Sequence, residues 1–241
     1  MIQWLLHKTA KLAQYGQGIG AASRADKAVL RKLTSGPHPL VIFDVGANRG
    51  QYLQLALAKP AVIHAFEPSS AAFADLANRF GNRSNVVLNN VALGREPGEQ
   101  VLYYDSPGSE LSSLYPRRVE HHGHQFTHSE PVQVDTLDNY CAKQAIAHID
   151  LLKLDVEGHE LAVLQGASQM FERQQISMVS FEFGGCNIDS RTFLRDFFHF
   201  FAAHRMQLAR VTAFGSLHPI PQYDETLEQF RPTTFVARTS G

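Results

Sequence analysis

Cysteine is scarce in this chain. Only Cys141 and Cys186 occur among 241 residues, and no C-x-x-C pair is present, which rules out a disulfide framework and suits free thiols in a reducing compartment. An excess of one charge is missing too. Lys and Arg number 22 against 23 Asp and Glu, a formal net charge of −1, so nothing in the charge balance points to nucleic acid or an anionic membrane. No apolar run has the length of a membrane span. The opening MIQWLLHKTAKLAQYGQGIG is too interrupted for a secretory signal. Its spacing predicts a short amphipathic helix with Ile2, Leu5, Leu6, Thr9 and Leu12 near one face, and a cytoplasmic protein is the expectation. Core material, by contrast, is plentiful. A hydrophobic share of 44% and a charged share of 19% fit one large α/β domain.

Punctuation divides the chain. Residues 1–35 read as a helical extension ending at TSGPHP, where glycine and two prolines force a break; residues 36–241 read as the main domain. There LVIFDVG is a continuous apolar strand followed by NRGQYLQLALAK with helical spacing. AVIHAFEP is a strand stopped by Pro68, and SSAAFADLANRFG is a helix opened by serines and closed by Gly81. NVVLNNVALG and EQVLYYD read as strands, and residues 106–131 as an irregular inserted loop. VQVDTLDNYCAKQ is a strand and short helix, and IDLLKLDVEGHELAVLQGASQMFER repeats strand, turn and helix. SMVSFEFGG, QLARVTAF and TTFVAR are further strands around the apolar helix SRTFLRDFFHFFAAHR. Continuous rather than alternating apolar strands, interleaved with helices, predict a doubly wound α/β fold with a mostly parallel sheet covered on both faces.

In such sheets ligands sit beyond the carboxyl ends of the strands, where strand order reverses. Asp44 closes the first of those strands, and an acid there is costly unless something nearby wants negative charge. Gly46 permits a tight turn and a close backbone approach, and Gly50 does the same at the helix start. GANRG puts Asn48 where the dinucleotide fingerprint has its middle glycine. Asp44 would repel a phosphate and attract a cation. A nucleoside with an ammonium and a sulfonium, S-adenosylmethionine, meets both conditions. Glu67 closes the next strand about 20 residues on, the distance at which an acid takes ribose hydroxyls. Asn90 and Val91 follow the third strand, within reach of an adenine edge.

A second acidic edge lies in LLKLDVEGHEL. Asp155 and Glu157 stand at a strand end, His159 and Glu160 open the next helix, and Glu182 ends the following strand. Neighbouring parallel strands are about 4.8 Å apart, so these groups converge. Methyl transfer to a hydroxyl needs in-line positioning and a base, or a cation that lowers the acceptor's pKa. Asp155, Glu157, His159 and Glu182 offer either, and three carboxylates could hold a divalent ion such as Mg²⁺; the choice stays open. Glu160 reads as a helix-start acid.

FDVGANRGQY, HAFEPS, NVALG, VDTLDNY, LLKLDVEGHELAVLQGA and FE, in that order between residues 40 and 185, resemble the FkbM-type methyltransferase family. The resemblance implies a class I methyltransferase fold, expected here as a seven-stranded sheet, with S-adenosylmethionine as cofactor. It implies O-methylation of a sugar, glycan or other hydroxylated natural product. It also implies cofactor contacts at Asp44, Gly46, Asn48 and Glu67, and an active-site role around Asp155, Glu157 and His159. A nicotinamide-dependent oxidoreductase is the rival on a similar sheet, opposed by Asn48 and Asp44. A non-catalytic protein that binds S-adenosylmethionine is another, opposed by the second acidic edge.

His121, His122, His124 and His128 crowd the inserted loop without cysteine or a metal-binding motif nearby, which predicts a solvated loop over the cofactor. Ser112, Ser113 and Tyr115 in it are candidates to meet the acceptor. FLRDFFHFF reads as core or as a contact in a homo-oligomer.

Overall fold

The structure is a computed structural model that describes residues 19–34, 36–212 and 214–239. The amphipathic helix expected at the start of the chain lies outside the described residues, apart from the last two positions of its stretch. Along the chain run α1 (Ile19–Lys32), β1 (Leu40–Val45), α2 (Gln51–Ala56), β2 (Ala61–Phe66), α3 (Ser70–Phe80), β3 (Val86–Asn89), β4 (Ala92–Leu93) and β5 (Gly98–Tyr104). Then follow β6 (His128–Asp135), α4 (Leu137–Lys143), β7 (Leu151–Leu154), α5 (Glu160–Gln165), α6 (Ser168–Glu172), β8 (Met178–Phe183), α7 (Cys186–Ser190) and α8 (Leu194–Ala203). β9 (Met206–Val211), β10 (Leu217–Pro219) and β11 (Thr233–Thr239) close it.

The main sheet has eight strands in the order β10-β9-β11-β8-β7-β1-β2-β3, one more than the seven expected. The extra strand is β10, three residues that carry no apolar run and are held in place by antiparallel pairing with β9. Strands β3, β2, β1, β7 and β8 are mutually parallel, and β11 runs antiparallel between β8 and β9. The chain winds outward from β1 to β3 and then returns to the other side of β1 with β7. The point where strand order reverses therefore lies between β1 and β7, with Asp44 paired in register to Lys153.

A separate three-stranded sheet, β4-β6-β5, holds the strands read from EQVLYYD and VQVD. NVVLNNVALG is thus two strands in different sheets. The break falls at Asn90, whose amide donates to the carbonyls of Glu67 (2.8 Å) and Pro68 (3.1 Å) and turns the chain. β6 begins at His128, inside the expected loop, because its antiparallel register extends to Tyr104↔His128. The long helix expected after LDVEGHE is two short ones, α5 and α6. Between them a Cβ on Gly166 would stand 2.0 Å from the Gly94 carbonyl, so β4 packs directly on that break.

Two apolar layers enclose the main sheet. Phe43, Phe66, Leu154, Phe181 and Phe183 point to one face and meet Val163, Leu164 and the α8 residues Leu194, Phe197 and Phe201. Phe181 stacks on Phe197 with ring centroids 4.8 Å apart, so the phenylalanine-rich helix is core. Each fully buried side chain of this size contributes about 2 kcal/mol by area. Ile42, Ile63 and Val236 point to the other face and meet Leu53 of α2, Leu76 of α3 and Ala25, Ala28, Val29 and Leu30 of α1. α1 is therefore packed against the sheet, on the face that also carries Asp44 and Lys153.

Candidate active site

The turn after β1 is built from left-handed backbone. Gly46, Asn48 and Gly50 have φ of 81°, 45° and 84°. Gly46 is obligatory for a second reason: a Cβ there would lie 1.9 Å from the Asp155 carbonyl. The close approach that Gly46 permits is thus between the β1 turn and the end of β7. The Gly46 and Ala47 amides both donate to the Phe66 carbonyl at 3.0 Å, which ties the turn to the end of β2. Asn48 tolerates positive φ because its short amide bonds locally. Its Oδ1 accepts from the Arg49 amide at 2.8 Å.

Glu67 stands where β2 ends, 5% exposed. One carboxylate oxygen accepts the Asn48 amide and the other the Ser69 amide, each at 2.8 Å. Burial pushes its pKa up to about 7 against the pull of those two amides. Asn90 sits directly behind it on the Glu67 carbonyl, and Val91 is half-buried against the aromatic layer.

Asp44 is fully buried, and neither of its oxygens has a hydrogen-bond partner of good geometry. Its neighbours are the Lys153 ammonium at 3.4 Å and the Leu53 amide. Lys153 is itself 6% exposed. It lies 3.3 Å from Asp155 and 5.1 Å from the Tyr52 ring centroid. Burial raises the pKa of Asp44, whereas the carboxylates around Lys153 keep its ammonium protonated in spite of burial. Spacing rules do not single out Lys153. The available signal was chemical: a lone ammonium among leucines needs a partner for the same reason that Asp44 does.

The second edge is dispersed. Asp155 opens to solvent, its side chain 44% exposed. Glu157, at φ 49°, turns away into an ion pair with Arg117, whose Nε is also 3.5 Å from Asp189 on α7. Burial pushes Glu157 up to about 7, with Arg117 pulling the other way. Glu160 is 1% exposed and accepts from the Val156 amide (3.1 Å) and the Gly158 amide (3.1 Å), so it caps its own turn as expected of a helix-start acid. His159 faces the small sheet rather than the strand ends. Its Nδ1 is 3.2 Å from the Tyr115 hydroxyl, and its Nε2 is buried against Gly94 without a partner. Burial, then Arg95, lowers its pKa to about 4. Glu182 is half-buried beside Thr234, and burial with Asp155, Glu157 and Glu160 nearby raises its pKa. Among the described residues no three His, Cys, Asp or Glu side chains are grouped to hold a metal ion.

The segment 105–119 straps the two edges together. The Asn48 amide group donates to the Gly108 and Ser109 carbonyls at 3.4 and 3.3 Å, and Gln51 bonds Glu110. On the other side Ser113 donates to the Glu157 carbonyl at 2.7 Å, beside the Arg117 and Tyr115 contacts. Ser112 donates only to the Ser109 carbonyl within the strap. The histidines next to it are exposed, and His124 pairs with Asp105 at 2.7 Å.

A doubly wound sheet whose switch point is lined by acids is the fold of class I S-adenosylmethionine-dependent methyltransferases. A Streptococcus mutans protein described as a methyltransferase and solved in complex with SAH shares it, with a TM-score of 0.50 at 9% identity over 91% of this chain and 97% of that one. Residues 44–214 match the methyltransferase FkbM domain, well over half of the sequence, and the chain belongs to that family. Similar curated proteins include "2-O-methyltransferase NoeI" of Sinorhizobium fredii, 28% identical over 68% of this chain and 73% of that protein. "Methyltransferase 1" of Beauveria bassiana is 29% identical over 54% of this chain. "31-O-demethyl-FK506 methyltransferase FkbM" of Streptomyces tacrolimicus is 30% identical over 52%. The chain spans 59% and 58% of the lengths of these last two. Among the described residues no helix is long and apolar enough to cross a membrane.

Proposed function

We propose that this chain transfers a methyl group from S-adenosylmethionine to a hydroxyl of a sugar, glycan or other small natural product, in the cytoplasm. The observation that carries the reading is Asp44, a fully buried carboxylate without a well-formed hydrogen bond, placed at the switch point beside the β1 turn. An ammonium group supplies the donors it lacks. Glu67 fits the other half of the nucleoside. Each of its oxygens accepts one amide and keeps a lone pair for a ribose hydroxyl. The relatives named for O-methylation support oxygen as the acceptor atom. Both free cysteines suit a reducing compartment.

When bound, the cofactor supplies an electrophilic methyl on its sulfonium. The protein's share is positioning and proton handling. Asp155, open to solvent at the end of β7, is the carboxylate within reach of an acceptor hydroxyl, and Lys153 fixes it from behind. Glu157 and Arg117 form the wall that fixes the strap, and Glu182 adds a carboxylate on the neighbouring strand β8. His159 serves as an anchor for Tyr115.

Titration calorimetry with S-adenosylhomocysteine tests the reading. Glu67→Ala should weaken binding by about 2 kcal/mol, the scale of a buried charge-assisted hydrogen bond. Unchanged affinity removes the ribose assignment, and binding of NADH in place of the nucleoside thioether removes the function. Single-turnover transfer of labelled methyl to candidate acceptors separates an enzyme from a binding protein.

A further inference from the structure

We infer that Arg210 of β9 anchors an anion site, which takes a carboxylate or phosphate group at the carboxyl end of the sheet, beyond the strands of the two acidic edges. The methyl transfer proposed above uses other strands, and this site stands independently of it.

Arg210 occupies a position that belongs to the core. It alternates along β9 with Met206 and Leu208, both in the α8 layer, and its register partner on β11 is Phe235 of the same layer. The two-residue period of a strand therefore puts Arg210 on the apolar side of the sheet. A charge there is costly unless a counter-charge meets it. Lys153 and Arg117, two other cations set into this fold, each have carboxylates beside them. Arg210 has none among the described residues. It is half-buried, and its Nε is buried without a hydrogen-bond partner.

The space around it is open on two sides. One is a cavity of about 20 Å³, in whose lining Arg231 joins Arg210 and no acidic residue takes part. It has room for a water, which would satisfy Nε but leave the charge unmet. The other is a groove of about 210 Å³ that runs past His218 and Gln222, and His218 is the register partner of Arg210 on β10. Asp224 lines this groove as well, yet its Oδ1 is taken by the amide and hydroxyl of Thr226. A guanidinium offers a flat fork of N–H donors that matches two oxygens of a carboxylate or phosphate, and His218 and Gln222 add N–H donors beside it. β11 is antiparallel to both β8 and β9, so β9 runs with β7 and β8, and Arg210 lies one residue from its carboxyl end. That is the edge of Asp155, three strand spacings or about 14 Å away. The anion is thus either a remote acidic group of an extended acceptor or a free oxyanion.

The test follows thermal unfolding at constant ionic strength with three probes: inorganic phosphate, glucuronate and neutral glucose. Glucose should do nothing, whereas an anion at about ten times its dissociation constant should raise the midpoint by about 3 °C. A shift with glucuronate alone assigns the acid of a sugar acceptor; a shift with phosphate, alone or as well, assigns a free oxyanion. Arg210→Met should abolish the shift, and Arg83→Met, which removes an equal charge from an exposed turn, should keep it. Without anion, Arg210→Met should be no less stable than the unsubstituted protein, since it breaks no internal pair. No shift with either anion, an undiminished shift in Arg210→Met, or an equal loss of shift in both arginine variants would overturn the site. A marked loss of stability in Arg210→Met would overturn it too, by revealing an internal partner.

Discussion

The two acidic edges of this sheet are held in opposite ways. At the ends of β1 and β2 the geometry comes from backbone: left-handed φ at Gly46, Asn48 and Gly50, two amides on the Phe66 carbonyl, and two amides on Glu67. At the ends of β7 and β8 side chains do most of the holding: Lys153 of β7 lies against Asp155, and Arg117 of the strap joins Glu157 to Asp189, while Glu160 takes the backbone amides of its own turn. A site built on backbone suits a constant ligand such as a nucleoside cofactor. A site held by side chains of an inserted strap can be re-specified by changing the strap, which suits an acceptor that varies between relatives.

The sharpest way to break this contrast is where the β1 turn packs against the Asp155 carbonyl at the end of β7. Gly46→Ala adds a Cβ 1.9 Å from the Asp155 carbonyl at φ 81°. Both faults are backbone faults, and together they should cost about 4 kcal/mol or more. Chemical denaturation would read the loss. A well-folded Gly46→Ala protein with its full stability would mean that the β1 turn does not pack on the Asp155 carbonyl.

Lys153→Met comes next. It keeps most of the side-chain volume and removes the cation, leaving Asp44 buried without a counter-charge. Breaking a buried pair in this way costs about 3 kcal/mol. The double variant Lys153→Met with Asp44→Leu should recover a large part of the stability while losing S-adenosylhomocysteine binding. If the double variant is no more stable than the single one, the pair is not coupled.

These two positions also show what was legible in the sequence. Asp44 and Glu67 announce themselves because strand-end acids at a short fixed spacing follow from local periodicity, and the glycines around them follow from turn chemistry. Lys153 was hidden by that same logic, since a residue inside an apolar strand reads as part of the strand. The partners of Glu157 and His159 lie some forty positions away in a loop whose composition is permissive. No periodicity links Arg117 to Glu157, or Tyr115 to His159. The eighth strand, β10, was hidden because its three residues carry no apolar run and only pairing with β9 makes them a strand, and the division of strands between two sheets was hidden as well. β4 and β5 have strand-like sequences, but which sheet a strand joins depends on where Asn90 turns the chain and on the two-residue pairing of β4 with β6. The carboxylates at the second edge share a strand end without sharing a ligand: Glu160 caps, Glu157 pairs, and only Asp155 faces out.

Arg117→Ala sharpens the contrast from the other side. Its guanidinium is 8% exposed and joins Glu157 to Asp189, so its loss leaves a half-buried carboxylate uncompensated, at about 2 kcal/mol. The damage should be local. Hydrogen exchange in residues 105–119 should quicken while the amides of β1 and β2 keep their protection, and S-adenosylhomocysteine should still bind. Equal acceleration in both edges would show that the strap supports the cofactor half as well.

The smallest effect is a difference in pH dependence at His159. Burial holds its pKa near 4, below the ordinary value of 6.5, so the native state keeps the imidazole neutral while the unfolded chain takes up a proton as the pH falls. Stability from this group is complete above about pH 6.5 and declines as the pH falls toward 4; at pH 5.5 the loss is about 1 kcal/mol. His64, Glu67, Glu157 and Glu160 titrate across the same window, with the three glutamates acting in the opposite sense because their native pKa values are raised. A single stability–pH curve is therefore ambiguous. The difference curve between the protein and His159→Gln removes the shared contributions, and it should rise by about 1 kcal/mol in favour of the variant between pH 7.5 and pH 5.5. A flat difference would mean that His159 is solvated and free to protonate, and an accessible imidazole beside Tyr115 would return it to the set of candidate bases at the second edge.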